Sequence, residues 1–298
     1  MKVLVTGRNG QVGGALQQAL AGLGEIIALD RTQLDLSNVD AIREVVRSIH
    51  PNLIVNAAAY TAVDQAESDE AMAHRINAEA PGVLAEEAKR LGAGIIHYST
   101  DYVYDGGKSG HWLETDATGP LSAYGRSKLA GEVAIAAVGV PHVILRTSWV
   151  YGLHGKNFLL TMLRLAQTRT ELSIVDDQIG APTWSMTIAQ ATASIIQKFP
   201  DFAAADHLSG IYHLCSGGQT SWYGFAKKIF AHSLIQQKPL LHPITTADYS
   251  TPAVRPKNSV MNTAKFEQTF AQLPSWEEAL EACLQRIPDE APHLLKAN

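Results

Sequence analysis

The sequence predicts an α/β protein: a doubly wound parallel sheet joined to a second, smaller α/β lobe. Three observations carry this. Short β-branched or aliphatic runs alternate with helical patterns, the order expected of βαβ units whose strands are buried on both faces. A glycine-rich turn, GRNGQVG, stands between the first run and the first helical pattern. After about residue 150 the alternation loosens into mixed helices and irregular segments.

Taken in order, the expected sheet strands are KVLVTG, EIIALD, NLIVNAA, GIIHYST, HVILRTS and GIYHLCSGG. Between the first two, Val12, Leu16, Ala19, Leu20 and Leu23 fall on one stripe of an amphipathic helix. SNVDAIREVVRSIH reads as a helix capped by Ser37 and ended before Pro51. Asp64 to Leu91 is helix-forming but contains Pro81, which predicts two helices or one broken helix. YGRSKLAGEVAIAAV reads as a helix with Ala130, Val133, Ala134 and Ala137 as its apolar stripe, extended by Leu129. Beyond it, NFLLTMLRLAQ and SMTIAQATASIIQKF are helical, ELSIVDDQIGAPT is a strand and loop, and KPLLHPITTADYSTPAVRPKN is irregular. The domain reading is residues 1–150 and 183–216 for the first lobe, and 151–182 and 217–298 for the second.

At 298 residues, 46% hydrophobic and 18% charged, the chain can bury a large core. A net charge of -5 offers no basic surface, so nucleic acid is not an expected partner. The first apolar run meets Gly7 too early for a signal peptide or a membrane span, and a cytoplasmic location is expected. Cys215 and Cys283 lack zinc-like spacing and read as ordinary buried thiols. No carboxylate pair has a metal-like spacing, so no required metal is expected.

In GRNGQVG, Gly7, Gly10 and Gly13 are spaced for a tight turn, close backbone approach to a pyrophosphate, and helix-to-strand packing. The helix that follows supplies free N–H groups and a positive dipole end. This is the Rossmann-type arrangement for a dinucleotide, against a plain βα turn as the alternative. Ala58 and Ala59 in NAAAYT are small enough to let a dinucleotide lie close, or serve only for packing. Asp30 ends the second strand and suits an adenosine ribose diol, which favours NADH. Arg31 follows it and suits a 2'-phosphate, which favours NADPH, or is a solvated loop charge. Preference between NADPH and NADH stays open at this stage.

Three segments match Tyr-x-x-x-Lys: YDGGK from Tyr104, YGRSK from Tyr124 and YGFAK from Tyr223. A tyrosine acting as acid and base near neutrality needs a cation to lower its pKa from about 10. A lysine one helical turn later provides that cation. YDGGK has two central glycines and predicts a loop, and YGFAK follows no hydroxyl-bearing strand end. Tyr124 and Lys128 lie on a regular helix, and GIIHYST ends with Ser99 and Thr100 at the sheet edge where ligands bind.

In this order, GRNGQVG, NAAAYT, YSTDYVY, YGRSK and RTSWVYG resemble the extended short-chain dehydrogenase/reductase superfamily. Within it the chain is similar to the dTDP-4-dehydrorhamnose reductase family along essentially its whole length. VNAAAYTAVDQAE, STDYVYDG, LRTSWVYG, DDQIGAPT and TPAVRPKNSVMNTAKF are the more specific segments. The resemblance implies NAD(P)H-dependent reduction of the C4 ketone of dTDP-4-dehydro-β-L-rhamnose. It implies that Tyr124 protonates the C4 oxygen, Lys128 lowers the tyrosine pKa and holds a ribose hydroxyl, and Thr100 hydrogen-bonds the carbonyl. Asp101, Tyr102 and Trp149 match deoxysugar contacts. Gly10, Gln11, Val12, Asp30, Asp35, Leu36, Ala59, Tyr60 and Thr61 match dinucleotide contacts. LDLSN, which contains Asp35 and Leu36, reads equally as a short strand and helix cap.

Arg255 in AVRPKN suits a sugar-nucleotide diphosphate through its bidentate fork, or a loop salt bridge. Arg146 either reaches the diphosphate or braces its strand. Oligomeric state is not set by the sequence, and a homodimer is compatible with it. Two rival readings remain: another epimerase, dehydratase or reductase of sugar nucleotides, and a non-catalytic regulatory subunit of a synthetase.

Overall fold

The computed structural model describes residues 1–295. Six parallel strands form the central sheet: β1 (Lys2–Thr6), β2 (Glu25–Leu29), β3 (Leu53–Asn56), β4 (Gly94–Thr100), β5 (His142–Thr147) and β6 (Gly210–His213). Their spatial order is β6-β5-β4-β3-β1-β2. The chain winds one way from β1 to β2 and the other way from β3 onward, which opens a crevice at the strand ends between β1 and β3.

Alternation along each strand builds two apolar layers. Val3, Val5, Val55, Ile96 and Leu145 face helices α1 (Gln11–Ala19) and Ser185–Lys198. Leu4, Ile54, Ile95 and Ile144 face helices α2 (Val39–Ile49), α3 (Ala80–Leu91) and α4 (Ala123–Val138). Helices on both faces explain why the strands are nearly continuous apolar runs. Residues of the later chain, including Phe225, Ile229, Trp276 and Leu280, belong to the same apolar cluster as β1 and α1. These later segments thus close over one face of the sheet. Glu171–Val175 pairs in parallel with Leu240–Ile244 there. Residues 296–298 of the expected second lobe lie outside the described residues.

Three local expectations change. Asn38, and not Ser37, caps α2, its side chain accepting the Ala41 N–H at 3.1 Å, while the Ser37 hydroxyl donates to Asp35 Oδ1 at 2.8 Å. Pro81 does not break its helix. A π-helical turn, Arg75–Glu79, runs directly into α3 and places Pro81 at the junction, where the wider turn accommodates a residue that cannot donate. The Ala130/Val133/Ala134/Ala137 stripe of α4 is not its core face: Val133 is 61% exposed, Ala137 is exposed, and Ala130 and Ala134 are half-buried. The buried face carries Gly125, Lys128, Gly131, Glu132 and Ile135.

Two glycines explain that reversal. A Cβ on Gly125 would lie 2.3 Å from Tyr102 O, and one on Gly131 would lie 2.1 Å from Asn77 O. Only bare backbone permits α4 to dock this closely on the loop after β4 and on the π-turn. The polar residues of α4 then find partners inside, and Val133, Ala136 and Ala137 are left facing out.

Candidate active site

The carboxyl ends of β1 to β5 frame one cleft of about 730 Å³. It receives all the expected dinucleotide and sugar positions except Gly13 and Arg255. The glycine loop forms its floor. Gly7 takes φ +73°, and a Cβ there would lie 2.9 Å from the Ala58 backbone. A Cβ on Gly13 would lie 2.0 Å from Gly7 O, so Gly13 acts from behind the cleft by letting α1 sit against the loop. Gly10 is the N-cap of α1 and no side chain caps that terminus. The first N–H groups of the helix are left for an anion. This bare, positively polarised cradle fits a dinucleotide pyrophosphate.

Ala58, Ala59, Tyr60 and Thr61 follow β3 along the cleft wall. Asn77, from the π-turn, holds this segment by accepting the Tyr60 N–H at 2.8 Å and donating to Tyr60 O at 3.0 Å. At the far end, Asp30 Oδ1 is occupied by the Thr32 N–H at 2.9 Å and hydroxyl at 2.6 Å. Those bonds, the Thr32 hydroxyl foremost, hold the Asp30 pKa below its ordinary value. Arg31 is 75% exposed and only loosely paired with Asp35 at 3.9 Å. Asp35 and Leu36 stand in a turn with no strand, Leu36 buried and Asp35 oriented by Ser37.

The Tyr124 hydroxyl meets Thr100, and its ring packs edge-on against Tyr102 with centroids 5.6 Å apart. Burial pushes the Tyr124 pKa up to about 12, the Thr100 hydrogen bond opposes it, and the Asp101 charge adds to it. Lys128 is 2% exposed, and burial lowers its pKa to about 8. Its Nζ donates to Tyr98 O at 2.7 Å. Of the two strand-end hydroxyls, Ser99 is committed to Glu132, and Thr100 remains at the cleft, donating to Asp101 Oδ1 at 3.0 Å. Asp101 is buried with Oδ2 unpartnered, and its pKa rises to about 6 through burial, partly offset by Ser259 and Thr100.

Trp149 takes φ +47°, a conformation few residues other than glycine adopt. Its ring stacks on Trp222 with centroids 3.6 Å apart and planes 5° apart, and Gly180 leaves room for it. Such packing on both sides is what holds a strained backbone in place. Trp149 thereby forms part of the cleft wall.

Arg255 lies outside the lining. Its Nη2 donates to Asp64 Oδ2 at 2.8 Å and its Nη1 to Asp64 Oδ1 at 3.1 Å. Arg146 braces its strand: it is 2% exposed and bidentate on Glu132, at 2.9 and 2.6 Å, with Tyr104 as a further partner. The other Tyr-x-x-x-Lys segments are elsewhere. Tyr104 is buried beside Arg146 and Lys108 pairs with Asp116. Tyr223 and Lys227 lie on the helix Trp222–Ala231, outside the cleft.

Several lining residues were not expected from sequence, among them Asn9, Leu34, Ile76, Ser148 and Lys156. Ser148 follows β5 as Thr100 ends β4, so the strand-end rule reaches it. Lys156, in the loop before the helix Phe158–Ala166, carries no local signal. Among the described residues no group of three or more His, Cys, Asp or Glu could hold a metal ion.

Comparison with known proteins finds relatives over nearly the whole chain. Residues 1–288 match the family model of the RmlD substrate binding domain. A dTDP-4-dehydrorhamnose reductase of Burkholderia thailandensis is 48% identical over 295 residues, covering 96% of this chain and 99% of that protein. Among solved structures, a dTDP-4-dehydrorhamnose reductase from Clostridium acetobutylicum aligns with TM-score 0.89 at 38% identity, over 97% of this chain and 100% of the other. One from Bacillus anthracis in complex with NADP aligns with TM-score 0.88 at 37% identity, over 96% and 99%.

Proposed function

The chain belongs to the RmlD substrate binding domain family, and from that membership we propose that it reduces the C4 ketone of dTDP-4-dehydro-β-L-rhamnose to dTDP-β-L-rhamnose with NADPH or NADH. The observation that carries this reading is the meeting of the glycine loop with Tyr124, Lys128 and Thr100 in one cleft. The nicotinamide, when bound, supplies the hydride. Gly7 and Gly10 with the first turn of α1 hold the pyrophosphate, and Ala58, Ala59, Tyr60 and Thr61 flank the dinucleotide. Gln11, Val12 and Leu36 complete its wall. Asp30 and Arg31 serve the adenosine ribose and a 2'-phosphate respectively, so either dinucleotide is accepted.

Thr100 orients the ketone oxygen and Tyr124 gives it a proton. A tyrosine held at about 12 by burial is a weak acid, and we assign to cationic Lys128, one turn away on α4, the task of lowering it once the dinucleotide and sugar are in place. Asp101, Tyr102 and Trp149 receive the deoxysugar. Arg255 reaches the diphosphate by exchanging Asp64 for it. Among the described residues no helix is long and apolar enough to cross a membrane, and we place the protein in the cytoplasm, acting alone or as a homodimer.

The purified protein supplied with dTDP-4-dehydro-L-rhamnose should oxidise NADPH or NADH stoichiometrically. Tyr124→Phe should lose about 10²–10⁴-fold in kcat, the usual worth of a positioned acid, and still bind the dinucleotide. Full activity in that variant overturns the mechanism. Turnover without net dinucleotide consumption overturns the reaction in favour of an epimerase or dehydratase.

A further inference from the structure

Lys128 is approached from the core side by a chain of buried polar groups. Its Nζ lies 3.2 Å from His97 Nε2. The other ring nitrogen, Nδ1, lies 3.0 Å from Asn56 Nδ2. Asn56 Oδ1 accepts the Thr6 hydroxyl at 2.6 Å, and Thr6 Oγ1 accepts the Ala58 N–H at 3.1 Å. Thr6, Asn56, His97 and Lys128 are each at most 2% exposed. The chain therefore links the ends of β1 and β3, beside the glycine loop, to the lysine of α4. Among the described residues, the His97 ring bonds only Asn56 and Lys128.

A neutral imidazole has one N–H and one lone pair. Burial first, and the Lys128 charge second, hold the His97 pKa well below its ordinary value, so the ring stays neutral. Each tautomer then suits one charge state of the lysine. Beside an ammonium, Nε2 accepts from Nζ, and Nδ1–H donates to Asn56 with its amide oxygen turned inward. Beside an amine, Nε2–H donates to the Nζ lone pair, and Nδ1 accepts from the Asn56 amide nitrogen. The two amide orientations differ only in which atom faces the ring. The Thr6 hydroxyl, a donor and an acceptor, pairs with either end. Both nitrogens of the His97 ring are then paired in either state, the condition for a buried polar group to be tolerated.

We propose that His97 is a positioning residue for Lys128: its tautomer follows the lysine's charge, holding Nζ in one place at the cleft wall in both protonation states. The link to turnover rests on the reductase reading. Other charged or titratable groups near the pair are Glu132, one turn beyond Lys128 and paired with Arg146 of β5, Tyr124 one turn before it, and Asp101 after β4. Glu132 favours the ammonium. None of these supplies the ring with a proton.

Nitrogen-15 NMR of histidine-labelled protein tests the tautomer directly, with the His97 signals assigned by their loss in His97→Gln. The ring should carry its proton on Nδ1 below the Lys128 transition and on Nε2 above it, and the exchange should vanish in Lys128→Met. One tautomer throughout, or an imidazolium near neutral pH, overturns the proposal. This measurement needs no substrate, so it fails or succeeds separately from the assigned reaction. In turnover, His97→Leu removes an acceptor from the ammonium and should move the alkaline limb of the kcat profile down by about one pH unit. The KM for the sugar nucleotide should stay within about twofold, since the acceptor acts on the lysine and not on the sugar. His97→Gln, whose amide donates or accepts, should restore most of the profile. A folded His97→Leu protein with an unchanged profile overturns the proposal.

Discussion

Glu132→Gln isolates the ion pair that anchors α4 to the sheet. Glu132 and Arg146 are each 2% exposed, joined by two hydrogen bonds of 2.9 and 2.6 Å, and Ser99 donates to the same carboxylate. Glutamine keeps the shape but offers one acceptor where the guanidinium meets two, and turns an amide N–H toward the other donor. The Arg146 charge then stays buried with a single amide oxygen and Tyr104 as its side-chain partners. Breaking a buried pair from one side costs about 3–5 kcal/mol. An unfolding entropy of about 2 cal/mol/K per residue gives roughly 0.6 kcal/mol/K for a chain of this size, so the midpoint should fall by about 5–8 °C. Circular dichroism melting and urea titration measure this. Glu132→Leu combined with Arg146→Met should be more stable than Glu132→Gln, because it removes the stranded charge. A fall of less than about 2 °C in Glu132→Gln, or a double variant worse than it, refutes the reasoning.

Lys128→Met should end turnover yet raise stability at neutral pH. The folded pKa, about 8, lies below the ordinary 10.5, so the unfolded chain binds more protons between those values. The lysine's penalty is therefore complete below pH 8 and is relieved as pH rises toward 10.5. The 2.5-unit depression corresponds to about 3 kcal/mol as an upper bound, and the advantage of Lys128→Met should shrink across that window in melts at graded pH. Arg31→Ala should raise the KM for NADPH about tenfold and leave that for NADH within about twofold, as loss of one phosphate contact implies; equal KM values with NADPH before and after remove Arg31 from recognition. Gly13→Ala sets a Cβ against Gly7 O. It should cost about 1–3 kcal/mol of stability and weaken dinucleotide binding in fluorescence titration, and an unchanged affinity would show that the loop tolerates displacement of α1.

Much of the architecture was legible because it is written at short range. Each of the six expected strands lies in the sheet, since a strand buried on both faces must be apolar along its whole length. The glycine loop was equally plain, because its steric demands fall on neighbours in sequence. Helix α4 was found, but its core face was misjudged: a period of apolar residues marks the buried side only where burial is apolar. Here the inward side carries Lys128 and Glu132, stabilised by partners on β4 and β5.

By itself the sequence determined the βαβ order, the tight glycine turn and the helical spacing of Tyr124 and Lys128, all consequences of backbone geometry within a few residues. Tertiary structure decided the pairings. Arg255 meets Asp64 across 191 positions, Lys128 meets His97 across 31, and Asn157 donates to Gln11 across 146. Charge and hydrogen-bonding capacity are visible in a side chain, but its partner is chosen by how helices dock on a sheet. That docking depends on the volumes and close approaches of residues far apart in the chain.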